Sequence, residues 1–141
     1  MIKISQNNRG WGGMRSYIGD ELTSLIEMVE KTLFEKIADR EIPADIVFED
    51  EFCLAFRDIN PQAPVHILVV PRKPIPSLDD LTMEDRELMG HLFICAKQIA
   101  ASEGCSNGYR TVFNCGDDGL QTVPHIHLHL IGGKKLRWPP G

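Results

Sequence analysis

The sequence lacks the features that mark membrane and secreted proteins. Its longest apolar runs, such as Ile67–Pro71 and Leu92–Ala96, fall far short of the ~20 residues that a bilayer-spanning helix needs. No apolar stretch follows Met1, as it would in a secretory signal. These absences predict a cytoplasmic protein with no membrane partner.

A basic stripe of the kind that binds nucleic acid is also missing. Fifteen Lys and Arg stand against 20 Asp and Glu, which leaves a net charge of −5. The largest basic group is Lys134, Lys135 and Arg137, and such a short group is typical of a solvated surface. The charge pattern therefore predicts no nucleic-acid partner.

Cysteines are few, and none is arranged in a Cys-x-x-Cys pair. The four are Cys53, Cys95, Cys105 and Cys115, so neither a zinc ribbon nor a thioredoxin-type redox motif is indicated. Cys53 and Cys95 lie in apolar stretches and are expected to pack as small core residues. A reducing, intracellular compartment is the expected environment.

What is present fits one globular domain with an amino-terminal extension. The 141 residues are 43% hydrophobic and 25% charged, a composition ordinary for a globular fold. Residues 1–19 carry no acid and four glycines, and we interpret them as a mobile extension. An organelle address is the alternative that this acid-poor end leaves open.

Apolar periodicity predicts an α+β protein with an antiparallel sheet. Apolar residues recur at helical steps from Leu22 to Ile37, and Thr32 is a candidate N-cap for a second, separate helix. A long helix is predicted over 81–103, opened by Thr82 with Asp85 and closed by Gly104. Short strands are predicted at residues 46–49, 52–57, 65–70, 109–114 and 125–131.

The last of these predicted strands carries three histidines in strict alternation. His125, His127 and His129 are separated by Ile126 and Leu128, so a strand would place all three imidazoles on one face. Three interpretations compete: a structural row, a zinc site with an open position, and nucleophilic or acid–base catalysis. Such a row would titrate near pH ~6.5.

The loop before the histidines offers groups that bind anions. Asn114, Gln121 and Thr122 carry amide and hydroxyl donors, and Gly116 and Gly119 permit tight turns. Alone, this composition is typical of an ordinary turn. Beside three histidines, it predicts a phosphate cradle that faces a nucleophile.

Taken with its neighbours, the segment His125–Ile131 resembles the signature of the histidine triad (HIT) nucleotide-binding proteins. Further segments resemble the Hint branch of that family: 41–44, 48–50, 57–66, 108–110 and the terminal Trp-Pro-Pro-Gly of 138–141. The resemblance covers residues 32–141, which it implies are a HIT domain, and leaves 1–31 as an extension. It implies a sheet of about five antiparallel strands, one long helix, a short amino-terminal helix, and a homodimer that continues the sheet.

The resemblance implies a nucleoside phosphoramidase. Hint-type enzymes hydrolyse the P–N bond of purine nucleoside 5′-phosphoramidates, through a nucleotidyl-histidine intermediate and without a metal or other cofactor. His127 matches the nucleophile, and His129 the histidine that contacts the phosphate. His125 matches the supporting histidine, and His66 a fourth histidine that buttresses the site. A dinucleoside polyphosphate hydrolase and a nucleotide-binding interaction protein with little turnover are the alternatives.

The resemblance also assigns the nucleotide-binding positions. Asp58 matches the acid that binds the ribose hydroxyls, and Trp138 is expected to reach the partner's site. The remaining matches are phosphate-side and apolar wall residues: Asn114, Gln121, Thr122, Val123, Ile59, Phe34, Ile37, Ile42 and Phe56.

Leu120 departs from the family pattern, which usually has Gly there. If that backbone needs a positive φ, Leu is strained at this position.

Overall fold

Five antiparallel strands form one open sheet in the computed structural model, which describes residues 31–141. The strands are β1 (Ile46–Glu49), β2 (Cys53–Arg57), β3 (Val65–Pro71), β4 (Tyr109–Val112) and β5 (Leu128–Gly132). Their order in the sheet is β1-β2-β3-β5-β4, so β3 and β5 lie at the centre and β1 and β4 at the edges. The predicted α+β class and antiparallel sheet are confirmed.

Two α-helices accompany the sheet within residues 31–141, α1 (Leu33–Ala38) and α2 (Arg86–Ser102). The predicted N-cap of α1 is confirmed: the Thr32 hydroxyl accepts from the Glu35 N–H, and the Glu35 carboxylate accepts from the Thr32 N–H. The extension at residues 1–30 and the helical periodicity between Leu22 and Val29 lie outside the described residues.

The long helix starts later than predicted. Residues 78–80 and 83–85 form two separate 3-10 turns, and α2 begins at Arg86. The Thr82–Asp85 capping box is present, but it caps the second 3-10 turn instead of the helix. Gly104 follows the helix with φ +79°, as predicted for its C-terminal cap. No helix among residues 31–141 is long and apolar enough to cross a membrane.

Strand alternation divides the apolar residues between two faces of the sheet. In β3, Val65, Ile67 and Val69 pack with buried residues of α2, whereas Leu68 and Val70 pack with Phe34 and Ile37 of α1. β5 repeats this division, because its Leu128 and Leu130 join the α2 side. Each face therefore has its own apolar cluster, and the sheet separates the two.

Three predicted strands are shorter in the structure, and the strand predicted at 52–57 loses only its first residue. β4 ends at Val112 instead of residue 114, and β5 begins at Leu128, so His125 and His127 precede the strand. The Ile126 N–H donates to the Ile75 carbonyl at 2.8 Å, outside the ladder. Pro71 ends β3 and has no N–H with which to extend the pairing. The prediction that one strand carries all three histidines is wrong for this reason.

The loop before the histidines holds Leu120 at a positive φ of 57°. The Gln121 N–H donates to the Gly116 carbonyl at 3.0 Å, and the Leu120 N–H donates to the Asp117 carbonyl at 3.0 Å. Both bonds close a tight loop, so the left-handed backbone is imposed on a residue that has a Cβ. Leu120 is 76% exposed and gains little from burial. The strain expected from the sequence is confirmed by this backbone angle.

Leu120→Gly is expected to raise the free energy of unfolding by ~0.5–1 kcal/mol. Relief of the left-handed backbone strain in the folded state should outweigh the extra conformational entropy that glycine gives the unfolded chain. Gly116, in the same loop, has φ +67° and open space around its Cα, so Gly116→Ala is a matched control of opposite sign. Urea unfolding of the three proteins checks this. A less stable Leu120→Gly protein would contradict it.

Candidate active site

His66 and His129 form a hydrogen-bonded chain whose direction follows from its first donor. The Gln62 N–H donates to His66 Nδ1 at 3.0 Å, so neutral His66 carries its proton on Nε2. His66 Nε2 lies 2.9 Å from His129 Nδ1 and donates to it. Neutral His129 must then carry its proton on Nε2. This Nε2–H is buried and has no partner among the described residues.

The orientation of His127 is fixed by a backbone carbonyl. His127 Nδ1 lies 2.9 Å from the carbonyl oxygen of His125, which can only accept, so Nδ1 carries the proton. The lone pair of neutral His127 is therefore on Nε2. The rings of His127 and His129 have centroids 4.8 Å apart, and the edge of Phe34 contacts His127 at 5.0 Å. A lone-pair nitrogen and an N–H donor thus lie on adjacent rings.

His125 anchors the segment that carries His127 through two hydrogen bonds of its ring. Its Nε2 donates to the Pro71 carbonyl at 2.7 Å, so its Nδ1 accepts from the Thr32 hydroxyl at 2.6 Å. The same hydroxyl accepts from the Glu35 N–H, which joins the N-cap of α1 to the histidine segment. His125 is 1% exposed and makes no contact with the pocket described next. Its role in the fold is structural.

His127 and His129 border a cavity of about 340 Å³, within the ~300–1,000 Å³ range of small-molecule sites. Its floor and walls are mostly apolar. The predicted residues that line it are Phe34, Ile37, Ile42, Phe56, Asp58, Ile59, Thr122, Val123, His127 and His129. Sequence reasoning missed Leu33, Pro43, Ala44, Arg57 and Leu68, which also line it. The alternation of β3 could have identified Leu68, because it places that residue on the same face as His66.

Asp58 lies at the rim, where β2 gives way to the loop. Its Oδ1 accepts from the Asn60 N–H at 2.8 Å, and its Oδ2 lies 3.5 Å from His66 Nε2. The Asp58 N–H donates to the His66 carbonyl, which ties the two residues together through the backbone as well. The carboxylate is 19% exposed and keeps acceptor capacity towards the cavity that Asp58 lines.

Five predicted site residues lie outside the cavity lining: His125, Asn114, Gln121, His66 and Trp138. The expectation that Gln121 donates to a phosphate needs correction, because its Nε2 donates to the Pro76 and Val123 carbonyls at 2.6 and 2.9 Å. Gln121 therefore ties the loop to the chain after β3. His66 is hydrogen-bonded to His129, which does line the cavity, and Trp138 is 82% exposed.

Burial keeps these histidines neutral. It lowers the pKa of His66, His125 and His127 below the ordinary value of 6.5. Burial, together with repulsion from His127 and His66, lowers the pKa of His129 to about 4. The sequence predicted titration near pH ~6.5, and the difference arises because the rings are enclosed. At neutral pH, the His127 ring is therefore unprotonated.

Three residues with side chains that can bind a metal ion lie close together at this site. Asp58, His66 and His129 offer ligand atoms within 4.8 Å of one another. However, His66 Nε2 and His129 Nδ1 already share one proton in a hydrogen bond. A metal would have to break the bond that orients His129, so the arrangement suits proton positioning better than chelation.

Comparisons with known proteins identify relatives of this chain. The profile of the HIT domain family matches residues 39–136. An uncharacterised HIT-like protein of Synechococcus elongatus is 60% identical over 114 residues, which are 81% of this chain and 100% of that protein. A 14 kDa zinc-binding protein of Zea mays is 50% identical over 112 residues, 78% of this chain and 88% of that protein.

A solved structure agrees with this grouping. The crystal structure of a HIT family hydrolase from Legionella pneumophila superposes with a TM-score of 0.76 at 54% sequence identity. The match covers 77% of this chain and 98% of the Legionella chain. Sheet, helices and histidine segment therefore belong to one shared fold.

Acid is expected to destabilise the fold through these histidines. Because their folded pKa values lie below 6.5, the unfolded chain binds more protons, and stability falls as the pH falls from about 6.5 towards 4. Thermal unfolding at pH 7, 6 and 5 measures this, and His129→Gln should flatten the slope. Equal Tm values at pH 7 and 5 in the wild type would contradict it.

Proposed function

We propose a function from one established premise: this chain belongs to the HIT domain family. We propose that it is a member of the Hint branch and hydrolyses purine nucleoside 5′-phosphoramidates to a nucleoside monophosphate and an amine. The observation that carries the proposal is the pairing of a neutral His127, with its lone pair on Nε2, and the unpartnered Nε2–H of His129. A nucleophile and an anion donor are what phosphoryl transfer through an enzyme-bound intermediate requires.

In the first step, His127 Nε2 attacks the α-phosphorus. The N–P bond to His127 forms as the P–N bond of the substrate breaks, and the departing amine takes a proton from solvent. His129 Nε2–H donates to a phosphate oxygen, and the bond from His66 holds that donor in place. In the second step, water attacks phosphorus and gives up a proton to solvent, the His127–phosphorus bond breaks with its electron pair returning to Nε2, and the nucleotide leaves. Splitting one displacement into two lowers each barrier.

The cavity walls support a nucleoside as the substrate. Phe34, Ile37, Ile42 and Phe56 provide an apolar slot suited to the flat faces of a purine. Asp58 lines the same cavity, and its oxygens can accept from two ribose hydroxyls. One cavity thus offers an apolar wall for a base, a carboxylate for a ribose and histidines for a phosphate.

Homodimerisation is also part of the proposal. β4 is an edge strand whose outer backbone groups face no other strand in the described chain. Tyr109 on this strand is 41% exposed, and Phe93 and Ile94 on α2 are 47% and 54% exposed. Pairing of β4 with its copy would cover these residues and continue the sheet.

The proposal also includes the domain bounds and the location. We place the HIT domain at residues 32–141 and its activity in the cytoplasm, since all four thiols are free.

His127→Ala is expected to abolish release of AMP from an adenosine 5′-phosphoramidate while leaving AMP binding measurable, because only the nucleophile is removed. Loss of a covalent nucleophile costs several orders of magnitude in kcat. Met83→Ala, a change at an exposed side chain outside the pocket, serves as the control and should retain turnover. Acid-quenched enzyme should carry labelled nucleotide in the wild type and none in His127→Ala.

The same assay separates the alternatives. Faster cleavage of a diadenosine polyphosphate than of the phosphoramidate would favour the polyphosphate hydrolase. AMP binding without release from either substrate would favour a nucleotide-binding interaction protein, and the strained Leu120 would then be examined first. Turnover that persists in His127→Ala would exclude His127 as the nucleophile.

Deletion of residues 137–141 is expected to change kcat or the preference among amines, without abolishing turnover. Arg110 of β4 donates to the Arg137 carbonyl at 2.8 Å, which ties the terminal segment to the proposed dimer edge, and Trp138 is 82% exposed and does not line its own pocket. Steady-state kinetics with several amine leaving groups measure the effect. Unchanged kinetics with every amine would remove Trp138 from the partner's site.

A further inference from the structure

A second group of chemically reactive side chains lies on the α2 side of the sheet. Asp50 lies in the turn between β1 and β2, Cys53 begins β2, and His91 and Cys95 lie one turn apart on α2. Their ligand atoms all fall within 4.8 Å of one another. Cys53 and Cys95 belong to the apolar cluster under α2, so the sheet separates this group from the histidine pocket.

The distances within the group resemble those of a tetrahedral metal site. Zinc binds thiolate sulfur at ~2.3 Å and imidazole nitrogen at ~2.0–2.1 Å, so tetrahedral ligands lie ~3.7 Å apart for two sulfurs and ~3.5 Å for sulfur and nitrogen. Here Cys53 Sγ and Cys95 Sγ are 3.7 Å apart, and Cys95 Sγ is 3.4 Å from His91 Nε2. His91 Nε2 and Asp50 Oδ2 are hydrogen-bonded at 2.6 Å and would separate by less than ~1 Å.

The surrounding contacts hold the four side chains in place. Asp50 Oδ1 accepts from the Phe52 and Cys53 N–H groups at 2.8 Å each, which leaves Oδ2 directed at His91. The ring of Phe52 contacts His91 edge to face at 5.4 Å. Supporting hydrogen bonds of this kind orient the ligands of protein metal sites. The carboxylate is thus fixed by the same turn that positions Cys53.

Access differs between the two halves of the group. The side chains of Asp50 and His91 are 28% and 33% exposed, whereas Cys53 and Cys95 are buried. An ion can arrive from solvent over the first pair and be enclosed by the second pair. An ordinary ion pair would account for Asp50 and His91, but it would not account for two thiols that converge on the same imidazole nitrogen.

We propose that Asp50, Cys53, His91 and Cys95 bind one divalent cation of the zinc class. The ligand set of two sulfurs, one nitrogen and one oxygen selects such a borderline-soft ion over Mg²⁺ or Ca²⁺, which prefer oxygen ligands alone. Binding replaces the two thiol protons and the Nε2 proton of His91, and all three leave to solvent. With four protein ligands the site is closed, so its role is structural.

The bound ion would join the β1–β2 turn to the first half of α2. Cys53 and Cys95 are 42 residues apart in the chain, so the ion cross-links elements that otherwise meet through packing and the His91–Asp50 hydrogen bond. Because the unfolded chain does not hold the ligands in this geometry, the ion favours the folded state. This inference is independent of the proposed phosphoramidase, since the two sites lie on opposite faces of the sheet.

The experiment uses the full chain, reduced with a phosphine, stripped by a chelator and titrated with Co²⁺ as the probe. We expect one equivalent to bind, with a thiolate-to-cobalt charge-transfer band and the intense visible bands of tetrahedral Co²⁺. Zn²⁺ should displace the cobalt and raise the Tm. Cys95→Val and His91→Gln should each weaken Co²⁺ binding by roughly 100-fold or more, beyond the ~10–100-fold typical of supporting residues.

Two variants serve as controls. Cys105→Ala removes another buried thiol of the same apolar cluster, and His129→Gln removes a ligand of the alternative group in the pocket. Both should keep the cobalt spectrum and affinity of the wild type. His91→Gln alters a partly exposed side chain, so it remains informative if Cys95→Val folds poorly.

Several results would overturn the proposal. One is a Co²⁺ complex without a thiolate band. Others are unchanged affinity in both Cys95→Val and His91→Gln, and a signal lost only in His129→Gln, which would place the ion in the pocket. Failure of reduced wild-type protein to bind, with mass spectrometry showing a Cys53–Cys95 disulfide in air, would identify a thiol pair instead.

Discussion

The position of His125 between the Thr32 hydroxyl and the Pro71 carbonyl is the constraint on which the site depends. These two bonds draw the segment before β5 out of the ladder, towards α1 and the end of β3. The carbonyl of His125 is thereby placed where it fixes the proton of His127. The residue that carries this buried imidazole does not border the cavity, yet it determines which nitrogen of His127 carries the lone pair. Because all its polar atoms are bonded, its burial carries no penalty for an unmet hydrogen bond.

Much of the fold could be predicted from local patterns. The N-cap at Thr32, the β1–β2 hairpin and the glycine after α2 are all encoded within a few residues of where they act, whereas the apolar wall of the pocket was assigned only through the family resemblance. The extent of β5 was not, because it is set by Pro71 and Ile75, more than 50 residues earlier in the chain. Alternation correctly identified the faces of Leu128, His129 and Leu130, and failed only where long-range bonds replaced the ladder.

The candidate site, too, depends on long-range contacts that local patterns do not predict. Gln121 has the side chain of a phosphate donor, but its amide is taken up by Pro76, 45 residues away. The direction of the His66–His129 chain depends on the Gln62 N–H, which no motif reveals. The four side chains beside α2 likewise meet only after the sheet and helix have packed. The residue types predicted which chemical groups the site contains. Which histidine nitrogens carry protons, and which groups the side chains bond to, could be seen only in the tertiary structure.

The division of β3 and β5 between two faces constrains how this chain can change. His66 and Leu68 serve the pocket, while Ile67 and Val69 between them serve the core under α2. Insertion or deletion of a single residue in either strand would exchange the two sets at once, burying imidazoles under the helix and exposing the core to the pocket. Length changes are therefore expected to accumulate only in the connecting loops. Within the central strands, evolution is confined to substitution.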